Sequence, residues 1–280
     1  MLTVEELREA VDTGEIDTVL VAIVDMQGRL QGKRCAAQYF LDEVLGHAAE
    51  GCNYLLAVDV EMNPVSGFEM SSWDRGYGDF VMKPDISTLR RVPWQEGTAL
   101  VMCDLVWENG DPVVASPRQI LRKQLDRLAA LGLECYVGTE LEFIVFDDTY
   151  EQAWNSGYRN LTPSNQYNVD YSLLGTARVE PLLRAIRNGM TGAGMVVESA
   201  KGSATPASTR SRSGTRRRCG RATSTPSTRT APRRSLRSRA SRSRSWRSTT
   251  NARATPATST CRCGPRTASP CSPRATACRS

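Results

Sequence analysis

Two carboxylates stand two residues apart in the segment Tyr136 to Asp147 (YVGTELEFIVFD), at Glu140 and Glu142. The segment reads as a strand, and its period of two sends both carboxylates to one face, beside Ile144 and Phe146. If that face were solvated, Ile144 and Phe146 would be wasted on it. If it were buried, two neighbouring carboxylates could not both stay ionised without a cation between them. A metal site resolves the conflict, and hard oxygen donors of this kind favour Mg²⁺ or Mn²⁺ over a softer metal. On the chemistry alone, a strand whose outer end dips into water stays open as the alternative.

The elements that would position this strand follow from hydrophobic period and turn residues. Met1 to Thr13 reads as a short acidic amphipathic helix. Thr18 to Asp25, a turn at Met26 to Gly28 and a second strand carrying Arg29, Lys33 and Arg34 read as a hairpin. A helix is predicted over Gln38 to Ala49, then strands near Asn53 to Val60 and Thr98 to Val106, with a Gly-rich polar loop from Gly67 to Asp79 between them. Mixed strands around one helix suggest a small α+β domain. Val106 to Pro117 supplies turn residues and a Pro at a helix start, which marks a domain boundary. Beyond it, the pattern predicts a helix over Arg118 to Leu131 stopped by Gly132, and a strand over Cys135 to Phe146. A helix over Val179 to Met190 and a strand over Gly194 to Glu198 begin an α/β alternation.

Composition divides the 280 residues into two unlike parts. Met1 to Gly202 holds all 30 Asp and Glu against 17 Lys and Arg, a net charge of −13, whereas the remainder carries 19 Arg and no acid. The whole-chain pI of about 8.9 is the sum of the two and says nothing about partners. The four early cysteines, Cys35, Cys52, Cys103 and Cys135, lie far apart in apolar or helical contexts, which favours reduced, packed thiols. Cys261 and Cys263 are too close for a C-x-x-C pair. No apolar run is long enough to cross a bilayer, and the expected compartment is the cytosol.

Four segments in order then resemble one family. The hairpin around VDMQGRLQGKR, the loop Ser71 to Asp79 (SSWDRGYGD) leading into Met82 to Thr88 (MKPDIST), Pro117-Arg118 opening a helix, and GTELEFIVFD are similar to glutamine synthetases over essentially Met1 to Gly202. The resemblance implies an N-terminal β-grasp domain over 15–112 and the first part of a glutamine synthetase catalytic domain over 113–202. It also implies rings of subunits with active sites between neighbours. It further implies ATP and Mg²⁺ (or Mn²⁺) as cofactors, with glutamate and ammonia, or another amine, as substrates. Glu140 and Glu142 match the family's metal-ligand glutamates, one for each of two cations. Glu198 matches a glutamate near the nucleotide, and Tyr171 a tyrosine beside the ammonium and substrate pocket. Asp74 falls in the loop that reaches a neighbouring subunit's site to help strip a proton from ammonium. Departures in that loop lie near the amine site, so a polyamine or other amine is an alternative nucleophile.

Ser203 to Ser280 contains no Asp, Glu, Lys, His, Gln, Phe, Tyr, Ile, Val or Met, and only Leu236 and Trp246 among large apolar residues. It cannot build a core of its own and is expected to be disordered. An Arg/Ser-rich RNA-binding module is one explanation, and out-of-frame translation of GC-rich DNA is the other. Restoring one base before the Ser203 codon, with suitable wobble bases, turns Ser203 to Ser213 into Glu-Cys-Asn-Pro-Gly-Gln-His-Glu-Ile-Ala-Phe. The same shift over Ser245 to Gly264 yields a His-x-His segment, with Thr258 and Thr260 standing where the histidines would be. Both products resemble the family's next motifs, so frameshift is the favoured reading. Nucleic acid is not expected as a partner, and the chain as written is expected to be inactive.

Overall fold

A computed structural model of the protein describes residues 1–70, 76–204, 208–218, 246–247 and 260–265. Helix α1 (Val4–Asp12) opens with a reciprocal cap. Thr3 Oγ1 accepts from the Glu6 amide at 3.1 Å, and the Glu6 carboxylate accepts from the Thr3 amide at 2.7 Å. Strands β1 (Thr18–Val24) and β2 (Leu30–Ala36) form the expected hairpin. Its turn is organised by Asp25, a buried carboxylate that accepts from the amides of Gln27 and Arg29, from Arg29 Nε at 2.6 Å and from Gln31 Nε2. Helix α2 (Ala37–Tyr39), a π-helical turn (Phe40–Val44) and α3 (Leu45–His47) run on as one helical stretch, which buries Phe40, Leu41 and Val44.

The next stretch departs from expectation. Strand β3 (Ala49–Cys52) ends where a strand was predicted to begin, and Asn53–Leu56 is a 3₁₀ turn. The reason is the buried Asn53, whose amide N–H donates to the Gly78 carbonyl at 2.9 Å and whose side-chain amide donates to the Met70 carbonyl at 2.8 Å. One residue thus holds both shoulders of the intervening loop, and the chain must bend there. Strand β4 (Asp79–Arg91), the longest in this sheet, was not foreseen, because Pro84 and the polar run around it hide its period. A bulge between Asp85 and Arg90 accommodates them. Inside it the fully buried Thr88 donates to the Asp85 carbonyl at 2.6 Å and accepts from the Met102 amide at 2.8 Å. Strand β5 (Thr98–Val106) matches its predicted bounds and completes a sheet of order β2-β1-β5-β4-β3, with β1 and β5 parallel and the other pairs antiparallel.

Helix α4 (Pro117–Ala130) starts at its proline and stops before Gly132, which sits at φ +72°. Then come β6 (Leu133–Val145), α5 (Tyr150–Asn155), α6 (Leu173–Thr176) and α7 (Glu180–Gly192). The following strand, β7 (Val197–Gly202), begins later than predicted. Gly194 at φ +74° and a bond from the Met195 amide to the Met190 carbonyl extend the close of α7. Part of the arginine-rich tail is ordered against expectation: β8 (Ser208–Arg218), β9 (Trp246–Arg247) and β10 (Thr260–Pro265) are strands. The second sheet has the order β10-β6-β8-β7, with β9 also paired to β6. A ladder needs only backbone donors and acceptors, so a segment without core-forming side chains can still pair with the exposed edges of β6 and β7. The rest of 203–280 lies outside the described residues.

The two sheets meet at a seam of named contacts. Trp94 packs against both a cluster of Ala22, Val24, Val92, Leu100 and Met102 and the cluster that α7 forms with β6. A Cβ at Gly192 would lie 2.9 Å from Pro93 and one at Gly189 3.3 Å from Trp94, so these glycines let α7 approach the turn after β4. At the opposite end, Arg118 on α4 pairs with Asp85 of β4 and, at 2.6 Å, with Asp104 of β5, while Arg122 reaches Asp104 at 2.7 Å and Asp85 at 3.2 Å.

Candidate functional site

Strand β6 has two unlike faces. Phe143 and Val145 pack into a cluster with Val179, Leu183, Ile186 and Met190 beneath α7. Glu140, Glu142, Ile144 and Phe146 share the other face and are all half-buried, so the pairing of two carboxylates with two apolar residues is as the sequence indicated. This face is neither sealed nor fully wet.

Glu142 Oε1 accepts from Ser203 Oγ at 2.8 Å, and Ser203 is itself buried. In the β6–β8 ladder, Arg210 stands opposite Glu142 and Arg212 opposite Glu140. Among the described residues no group of three His, Cys, Asp or Glu converges as a metal site. With one carboxylate for each expected cation, the described residues do not by themselves complete the oxygen shell of a resident divalent ion.

A third predicted residue sits beside the end of β7. Val169 is buried, and its carbonyl presses so tightly on Gly202 that a Cβ there would lie 2.2 Å from the oxygen. That contact pins the 169–171 turn against Lys201, Gly202 and Ser203. Tyr171 sits in this turn at φ +55°, a left-handed conformation that costs a non-glycine residue energy. Its ring lies under Lys201 Nζ at 3.8 Å from the centroid, and Nζ also meets Asp170 Oδ1 at 2.5 Å and the Gly202 carbonyl at 3.0 Å. Lys201 and Asp170 were not singled out from the sequence, where they read as ordinary surface charges.

The other two predicted residues are not brought to this point. Glu198 is exposed on β7, where the register against β8 slips between Val197 and Ser199. Asp74 lies outside the described residues, although both shoulders of its loop are fixed by Asn53 and Tyr77 stacks edge-on against Tyr54 at 5.8 Å. Cys35, Cys52, Cys103 and Cys135 are free thiols, and burial pushes Cys103 far above the usual thiol range, as expected of a packed, inert group. No helix among the described residues is long and apolar enough to cross a membrane.

Known proteins share the fold and much of the sequence. Residues 114–209 match the family described as glutamine synthetase, catalytic domain. The chain is 69% identical over 205 residues to a gamma-glutamylethanolamide synthetase of Streptomyces coelicolor, covering 73% of this chain and 44% of that protein. It is 35% identical over 194 residues to a glutamate–isopropylamine ligase of a Pseudomonas species, covering 69% of this chain and 42% of that one. The chain therefore spans less than half the length of these two relatives. Among solved structures, a GmaS–ADP complex superposes with a TM-score of 0.65 at 17% identity, over 83% of this chain and 49% of that one. A novel glutamine synthase homolog does so at 0.63 and 19% identity, over 79% of this chain and 49% of that one. The shared fold, the paired glutamates on β6 and the 69% identity together carry one conclusion: this chain belongs to the glutamine synthetase family of ligases.

Proposed function

We propose that this chain is the N-terminal portion of an ATP-dependent γ-glutamyl-amine ligase whose acceptor is a small alkylamine. The observation that carries the reading is the 69% identity to a gamma-glutamylethanolamide synthetase, supported by the isopropylamine ligase at 35%. Ammonia, and with it glutamine synthesis, is then the secondary acceptor. In the reaction, a γ-carboxylate oxygen of glutamate attacks the terminal phosphorus of ATP and ADP leaves. The amine nitrogen attacks the acyl carbon, phosphate departs, and the nitrogen gives up a proton to leave the amide. Tyr171 would line the amine side, Glu198 would stand near the nucleotide, and Asp74 would take the amine's proton from across a subunit boundary.

The division into a β-grasp domain over 15–112 and a catalytic portion from 113 belongs to the same proposal, as do the ring assembly and the cytosolic location. So does the frameshift. In the restored frame, positions 203 and 210 both become glutamate, and these are the position bonded to Glu142 and the one opposite it in the ladder. Two further carboxylates would then stand at the position bonded to Glu142 and at the register position facing it, a donor set suited to Mg²⁺ or Mn²⁺. The 280-residue chain, lacking them, is expected to be catalytically silent. Sequencing the gene across the Gly202 codon tests the frame. Phosphate release by the frame-restored enzyme with glutamate, ATP and either ethanolamine, isopropylamine or ammonium tests the acceptor. Faster turnover with ammonium than with either amine would overturn the assignment, and so would amide synthesis by the 280-residue chain.

A further inference from the structure

Asparagine precedes glycine twice in the first 202 residues, at Asn109-Gly110 and at Asn188-Gly189, and both asparagines are exposed. The pair has its own chemistry, because a glycine nitrogen with no Cβ beside it can approach the side-chain carbon of the residue before it. The two copies sit in unlike backbones. Asn188 lies inside α7, where the glycine nitrogen belongs to the helical ladder and the Gly189 carbonyl accepts from the Ala193 amide at 3.0 Å. Asn109 lies in the turn that links β5 to α4. Gly110 stands there at φ +87°, and a Cβ built on it meets nothing within 4 Å beyond its chain neighbours. We propose that Asn109 is a site of spontaneous covalent modification, by deamidation through a cyclic imide, and that its product opens the β5–α4 connection. This does not depend on the ligase reading.

The turn already polarises the side-chain amide. The Asp111 amide donates to Asn109 Oδ1 at 3.0 Å, and Oδ1 is the atom that gathers negative charge when the Gly110 nitrogen adds to Cγ. A fixed N–H at that point stabilises the charge as it develops. Asn109 Nδ2, the leaving nitrogen, donates to Asp111 Oδ2 at 2.8 Å, so the amide is held from both ends. One bond opposes the step: the Gly110 N–H donates to the Trp107 carbonyl at 2.8 Å and must be released first. In an exposed turn that release is a local opening of low cost, whereas freeing the Gly189 nitrogen means breaking α7. The Gly110 nitrogen then gives its proton to hydroxide and bonds to Cγ, the Cγ–Nδ2 bond breaks, and Nδ2 takes a proton from water and leaves as ammonia. Water adds to one of the two imide carbonyls and leaves aspartate or isoaspartate at position 109. The net change is one water consumed and one ammonia released.

Either product undoes the turn. Aspartate loses the Nδ2 donor and sets a second carboxylate against Asp111. Isoaspartate also lengthens the main chain by one methylene, inside a turn closed by the Trp107 amide on the Asp111 carbonyl at 2.7 Å and by the Val106–Pro112 bridge. Trp107 packs against the main core cluster, and α4 with its Arg118 begins a few residues later. The turn therefore lies between the core of the first sheet and the charged seam, and its loosening bears on both.

The test is incubation of the folded 280-residue chain in mildly alkaline buffer, followed by peptide mapping for the mass gain of an amide turned acid and by isoaspartate-specific methylation. Asn109 is expected to convert about tenfold or more faster than Asn188. That ratio should collapse in urea, where both sites become the same dipeptide in an open chain. Asn109→Gln, whose longer side chain disfavours ring closure, should show neither signal at position 109. In the converted protein the Trp107 and Gly110 amide hydrogens should exchange about tenfold or more faster than in the unconverted one. Conversion of Asn188 as fast as Asn109 in the folded protein would overturn the site, and so would an unchanged Asn109 under conditions that convert the chain in urea. Conversion of Asn109 with unaltered exchange at Trp107 and Gly110 would overturn the opening of the connection.

Discussion

In the first sheet β1 is buried on both sides: Val19, Val21 and Ile23 lie in the cluster containing Leu7, Phe40 and Phe80, while Ala22 and Val24 on the other face lie in a cluster with Leu100 and Met102 of the same sheet and with Val92 and Trp94. In the second sheet α7 packs on the face of β6 that carries Phe143 and Val145, and the opposite face carries Glu140 and Glu142 half-buried. A strand sealed on both faces cannot keep two adjacent carboxylates without neutralising them. A strand with a half-buried face can, and that is how β6 differs from β1. The seam between the two sheets is where their different demands are reconciled.

Breaking the seam should have the largest effect. Arg118→Ala leaves Asp85 and Asp104, both nearly buried, with Arg122 as their remaining cationic partner, and should cost about 3–5 kcal/mol in urea unfolding. A loss under about 1 kcal/mol would mean that α4 is held by its apolar contacts and not by charge. Leu183→Ala, in the cluster beneath α7, should cost about 2–5 kcal/mol and loosen the packing of α7 on β6. Hydrogen exchange of β6 amides should rise more than that of β5 amides. Thr88→Val keeps the shape of the β4 bulge but strands the Met102 amide, and a loss of about 1–3 kcal/mol is expected in the same unfolding assay. Thr3→Ala removes one side of the α1 capping box and should cost about 1 kcal/mol, a change visible as a small fall in Tm.

The smallest effect concerns Cys103, deep in the first sheet. Burial raises its thiol above the ordinary value of 9.0, so the folded protein holds that proton more tightly than the unfolded chain does. The associated stability is complete below the unfolded value and declines as pH rises past it. Alkylation by iodoacetamide at pH 9 should therefore spare Cys103 in the folded protein and modify it in urea. Rapid labelling without denaturant would show that the first sheet opens far more readily than its packing implies.

Much of this was legible in the residues. The hairpin could be read because its period of two meets a turn whose aspartate, glycine and arginine define it, and β5 because seven of its nine residues are apolar and a polar turn follows it. The carboxylate face of β6 was legible for the same reason: alternation alone dictates that Glu140, Glu142, Ile144 and Phe146 point together. Strand β4 was not legible, since its proline and charges are tolerated only through a bulge that Thr88 ties to Met102, a residue 14 positions away. The early end of β3 was equally hidden, because it follows from Asn53 reaching Met70 and Gly78.

What the sequence determined by itself was therefore local and periodic: which stretches are strands or helices, which side chains share a face, and which family's motifs stand in order. Which distant groups meet was decided only by the tertiary structure. The four-charge seam of Asp85, Asp104, Arg118 and Arg122, the Glu142–Ser203 contact and the seating of Lys201 on Tyr171 and Asp170 each join residues 14 to 61 positions apart. No periodicity encodes such separations, because they are fixed by the sum of sheet register and helix packing and not by any neighbour along the chain.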